Sequence, residues 1–199
     1  MADLEKTGKN LEGRGFRVHR FASGAEAAEF LVQTLHGTSI GIGGSVTIDT
    51  LGVYDRLCGS NEVFWHWKNH APETRERAGK AETYLCSANG VSENGEIVNI
   101  DGFGNRVAGT IYGPERVFLV VGRNKIAPDL TGAIDRARNI AAPLNARRLN
   151  RHTPCAVGEP RCRDCRSPEK ICGVMTVFFM PPTSIKEFHV LLVNEDLGY

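Results

Sequence analysis

Apolar and polar positions along the chain change their spacing repeatedly, and each change marks an element. The first dozen residues read as a polar helix. Residues 16–21 (FRVHRF) alternate with period two, as a half-buried strand does. Ser23-x-x-Glu26 is a capping box that opens an apolar-periodic helix to about Leu35. Residues 39–43 (SIGIG) form a short strand that runs into Gly44-Ser45, and a helix follows to about Leu57. Residues 63–67 predict a strand, Pro72 starts a charged helix to about Lys80, and residues 83–88 predict another strand. Asn94-Gly95 is a hairpin-turn signal with residues 96–101 as the outgoing strand. Residues 106–112 and 116–121 read as further strands, Pro128 opens a helix to about Ala142, and residues 149–173 form a loop. Two strands close the chain, at 174–180 and 188–193.

Alternating strands and helices with a central hairpin argue for an α/β fold: a mostly parallel sheet flanked by helices, with an antiparallel hairpin region. Ligand sites in such sheets lie at the carboxyl ends of the strands. The chain of 199 residues is 41% hydrophobic, enough to fill a core. Its apolar runs, such as 117–121 and 190–193, are strand-sized, so no membrane span is expected. The charged N-terminus lacks the apolar core of a signal peptide, which predicts a cytoplasmic protein with reduced cysteines.

The formal net charge of +1 hides an asymmetry. Residues 136–170 hold nine Lys/Arg against three acids, a local +6. Such a stretch attracts an anionic ligand or an acidic partner, or is simply a solvated face. Nucleic acid is not expected, because no base-stacking motif accompanies the arginines.

Three segments at predicted strand ends carry candidate chemistry. In Gly43-Gly44-Ser45-Val46-Thr47, glycines bring backbone N–H groups toward an anion, and Ser45 and Thr47 add hydroxyls. The alternative is a tight turn capped by Ser45 or Thr47. The block from Ser87 to Arg106 offers Asn89, Asp101, Asn105 and Arg106 as a polar ligand shelf, or as buried structural groups. Within it Glu93 has the chemistry of a nucleophile or general base, or is a solvated turn residue. Asn124 and Lys125 follow an apolar strand, where Lys125 would meet an anion at the glycine turn.

Cys155, Cys162, Cys165 and Cys172 follow the spacing C-x6-C-x2-C-x6-C. Four thiols suit zinc or an iron–sulfur cluster, although the outer gaps match neither a zinc ribbon nor a ferredoxin run. Redox-active or inert thiols are the alternative. Cys58 and Cys86 read as core residues. His66 and His70 fall on and just after a predicted strand, where their spacing of four has no helical meaning; Trp65 and Trp67 read as core or interface.

The blocks GGSVT, LCSANGVSENGEIVNIDGFGNRVAG, YGPERVFLVVGRNKIAPDL, AAPLNARRL, PCAVGEPRCRDC and VNEDLG resemble the LUD (lactate-utilisation) domain family, collinearly over residues 1–199. The resemblance implies one LUD-like domain, with a cysteine-rich loop at 150–173, of the CoA-transferase/ribose-phosphate-isomerase-like fold. It also implies a part in L-lactate (2-hydroxy acid) utilisation, as an accessory or electron-relay subunit beside iron–sulfur partner proteins of a lactate oxidation complex. Ser92-Glu93-Asn94-Gly95 is in addition similar to the S-E-N-G stretch of class I CoA transferases, which would make Glu93 the nucleophile of an acyl- or CoA-transferase-like enzyme. A non-catalytic sensor of a small anion is the third expectation.

Overall fold

The computed structural model describes residues 3–199. Six parallel strands form its main sheet in the order β1-β10-β7-β4-β2-β3. They are β1 (Arg17–Phe21), β2 (Ser39–Ile42), β3 (Glu62–Trp65), β4 (Thr83–Ser87), β7 (Arg116–Gly122) and β10 (Glu187–Val193). The central strands are largely apolar and buried because both faces are covered. Alternate residues of β7 serve the two layers. Val117, Leu119 and Val121 pack with Leu11 of α1 (Leu4–Gly13) and Ala78 of α5 (Thr74–Lys80). Phe118 and Val120 pack with residues of α2 (Gly24–Thr34), α3 (Val46–Thr50) and α4 (Tyr54–Cys58).

A second, mixed sheet runs β8-β5-β6-β9. Strands β5 (Gly90–Ser92) and β6 (Ile97–Asp101) pair antiparallel across the Asn94-Gly95 turn, where Gly95 has φ +91°, a conformation that favours glycine. Strand β9 (Val174–Phe178) pairs antiparallel with β6, and the two-residue β8 (Ile126–Ala127) lies parallel to β5. Ala133 and Ala137, on α7 (Leu130–Arg136) and the π turn after it, pack in the apolar cluster with Val98 and Ile100 of β6.

The α/β expectation holds, and so does the Ser23 capping box. The Ser23 hydroxyl accepts the Glu26 N–H, and the Glu26 carboxylate accepts the Ala22 N–H. Several boundaries differ. Residues 106–112, expected as a strand, lie mostly in the helix α6 (Asn105–Ile111). Val107, Thr110 and Ile111 give it strand-like composition, but Asp101 accepts the N–H groups of Arg106 and Val107 and starts a helix. The helix after Ser45 is split into α3 and α4, and β3 ends at Trp65. The helix after Pro128 continues through a π turn (Ala137–Ala141) into α8 (Ala142–Arg148). The cysteine-rich loop contains one helical turn, α9 (Pro154–Val157). Cys86 is buried, but Cys58 is exposed rather than part of the core. Among the described residues no helix is long and apolar enough to cross a membrane.

Candidate functional site

A cavity of about 760 Å³ opens at the carboxyl ends of β2 and β4. Its floor comes from three chain turns. Gly44, Ser45 and Thr47 follow β2, with Ser45 capping α3 through the Ile48 N–H at 3.3 Å. Ser87 ends β4 and Asn89 follows it, and Lys125 follows β7. Lys125 is 3% exposed, and its Nζ donates to Thr47 Oγ1 and Ser87 Oγ, each at 2.8 Å. An ammonium has three N–H groups, so one is left for a ligand.

Two arginines sit close to Lys125. Arg106 donates to Asn89 Oδ1 at 2.7 Å and to the Ile100 carbonyl. Arg136, just behind the floor, donates only to backbone carbonyls, those of Asn124 at 2.7 Å and Asn89 at 2.5 Å. Among the described residues none of the three cations has an ion-paired carboxylate. Burial, and then the charges of Arg136 and Arg106, hold the Lys125 ammonium well below the usual lysine range. Burial likewise brings Arg136 down to about 10. A buried positive centre without a counter-ion is suited to an incoming anion.

The shelf residues divide by role. Asp101 and Asn105 line the cavity, but both Asp101 oxygens are committed to backbone N–H groups, so Asp101 mainly positions Arg106. Gly43 does not line the cavity. A Cβ there would lie 3.0 Å from Arg106 Cγ and from the Tyr84 hydroxyl, so it makes room for the arginine stem. Asn124 is also off the cavity. Its side chain holds the C-terminal tail, donating to Gly198 O and accepting from the Leu197 N–H, each at 3.1 Å. Gly198, at φ +60°, turns the tail against Thr47 and brings Tyr199 into the cavity wall.

The mouth holds groups that sequence reasoning missed. His66 and His70 both line it, joined by a turn in which His70 Nδ1 meets the His66 carbonyl at 3.1 Å. Burial, then Arg75 and His70, lower the His66 pKa. His66 Nδ1 is buried without a hydrogen-bond partner, and the buried Tyr199 hydroxyl faces Arg148. Arg148 lies 4.6 Å over the Trp67 ring and Arg75 lies 5.1 Å over Phe103. These residues reach the cavity through turns and the tail, whose meeting no local spacing announces. The His66–His70 interval was the one available signal.

Glu93 lines neither this cavity nor the one described next. Its carboxylate accepts the Asp3 N–H at 3.1 Å and the Lys6 ammonium at 3.0 Å, and these bonds lower its pKa. The Glu93 carbonyl accepts Asn10 Nδ2 at 2.7 Å, so the residue fastens the hairpin to α1.

Cys155, Cys162, Cys165 and Cys172 all line a second cavity of about 360 Å³. All four are free thiols. Cys162 Sγ accepts from the Asp164 N–H at 3.4 Å and from Arg138 at 3.7 Å. Burial raises the Cys172 thiol; the nearby Lys170 opposes this, and the other three cysteines raise it further. Among the described residues no three His, Cys, Asp or Glu side chains are already gathered tightly enough to hold a metal ion. The donor chemistry nonetheless fits one. Four soft thiols surround a single cavity, and a bound cation would relieve their mutual repulsion as thiolates. Ile100, Ala142, Lys170 and Ile171 line both cavities, which therefore share a wall.

The family model of the LUD domain matches residues 4–193. A crystal structure of a DUF162 family protein from Deinococcus radiodurans is similar in fold, with a TM-score of 0.56 at 14% identity over 96% of this chain and 95% of that one. No curated protein sequence matches the chain.

Proposed function

Because the chain belongs to the LUD domain family, which ties it to lactate utilisation, we propose that it is an accessory, electron-relay subunit of L-lactate oxidation. In this reading it works in the cytoplasm beside iron–sulfur partner proteins. Cys155, Cys162, Cys165 and Cys172 hold a metal centre, and the cavity around Lys125 binds a small anion. One observation carries the reading: the wall shared by the four-thiol cavity and the cationic cavity. An iron–sulfur cluster there supplies single-electron chemistry, whereas zinc would only staple the loop. Arg138 and its basic neighbours offer an acidic partner a docking face.

The test is partner-dependent lactate oxidation with wild-type protein and Cys162→Ser. The relay reading expects the variant to lose metal and turnover together. Loss of metal with intact turnover would reduce the centre to a structural role. The anion site is tested separately by thermal shift, where phosphate or L-lactate stabilises wild-type protein but not Lys125→Met.

A further inference from the structure

The cavity around Lys125 is far larger than a three-carbon acid requires. At about 760 Å³ it falls among pockets that hold cofactor-sized ligands. Its chemistry also changes from floor to mouth. The floor carries the buried Lys125 ammonium with one N–H to spare, flanked by the Thr47 and Ser87 hydroxyls. The mouth is basic and aromatic, with Arg148 against Trp67 and Arg75 against Phe103. Phe103 is 77% exposed beside the opening, and Arg75 is the cation that lies over its ring. Two further groups in the wall are buried: His66 Nδ1, which has no hydrogen-bond partner, and the Tyr199 hydroxyl, which faces the Arg148 guanidinium. An orphaned group such as His66 Nδ1 carries a free-energy cost that a ligand's hydroxyl or ring nitrogen would remove.

We propose that this cavity binds a nucleoside diphosphate group, with the phosphates on Lys125, Thr47 and Ser87 and the base against Phe103 at the mouth. The proposal rests on the anion-binding reading above and extends it from a small anion to a polyanion bearing a planar ring. Arg106 reinforces the positive floor, and Arg75 and Arg148 extend the charge outward along the phosphates. The base stacks on the open face of Phe103, and the sugar lies within reach of His66 and Tyr199. Stacking of this kind suits any base, so the site selects the diphosphate-and-ring class more than one nucleobase.

Isothermal titration of the full chain with inorganic phosphate, L-lactate, ADP, GDP, NAD and coenzyme A tests this. At least one ligand bearing a nucleoside diphosphate is expected to bind about tenfold or more tightly than phosphate. Equal affinities among them place recognition on the shared nucleoside diphosphate alone, and a preference for NAD or coenzyme A identifies the larger cofactor. Phe103→Ala, a change at an exposed position, is expected to narrow the ratio of phosphate to nucleotide dissociation constants. Nucleotides binding no more tightly than phosphate overturn the proposal and leave the small-anion reading standing. Binding by none of the six removes both.

Discussion

Lys125 Nζ lies 2.8 Å from Thr47 Oγ1, a bond between the turn after β7 and the first turn of α3. It fixes two of the three strand ends that make the cavity floor, and Ser87 fixes the third. It also buries a cation whose partners are all neutral hydroxyls.

Replacing that cation separates binding from folding. Lys125→Met keeps the length of the side chain and removes an uncompensated buried charge, so the melting temperature is expected to hold or rise. Anion-induced stabilisation is expected to vanish. Thermal melts of both proteins with and without phosphate check this.

The depressed Lys125 pKa sets a pH dependence. Deprotonation in the folded protein begins well below the ordinary lysine value of 10.5, so anion affinity should fall as pH rises through the folded pKa. The same depression makes the unfolded chain hold its proton more strongly than the folded one. The lysine therefore costs stability below 10.5, and this cost is relieved as pH rises toward that value. Titration calorimetry across pH reads the first effect, and melts of ligand-free protein read the second.

A histidine pair gives the fold an acid limit. His19 Nε2 and His189 Nδ1 are 2.9 Å apart, and His189 stacks on Phe118 at 4.2 Å between ring centres. Burial lowers both pKa values. Arg17 adds to the effect at His19, while Glu187 opposes it at His189. The folded protein resists protonation that the unfolded chain accepts, so stability is lost as pH falls below the ordinary histidine value of 6.5. Melting temperature against pH should drop in that window, and His189→Phe should flatten the drop.

Asp101→Ala tests the helix start that strand-like composition concealed. Loss of the Arg106 and Val107 N–H acceptor is expected to cost about 1–2 kcal/mol in denaturant unfolding, as loss of a helix cap does. It should also loosen Arg106 and weaken phosphate binding.

Residues whose role is set by local pattern were legible in the sequence. The β7 and β10 cores, the Ser23 capping box and the Asn94-Gly95 turn follow from runs of a few residues. That Ser45, Thr47, Asn89 and Lys125 meet in one cavity was legible because strand ends in an α/β sheet converge on one crevice. Helix α6 was not, because its cap sits in β6, outside the helix itself. Arg136 looked like part of a basic surface but is buried under backbone carbonyls contributed by other elements. Tyr199 reaches the cavity only because Asn124 and Gly198 fold the tail back, and that long-range contact leaves no periodic trace.

The most direct measurement is the absorption spectrum of anaerobically purified protein, with iron and zinc determined on the same sample and on Cys162→Ser. An iron–sulfur relay requires a brown protein with broad visible absorbance and stoichiometric iron, both lost in the variant. A colourless protein, whether it carries zinc or no metal, would contradict the relay.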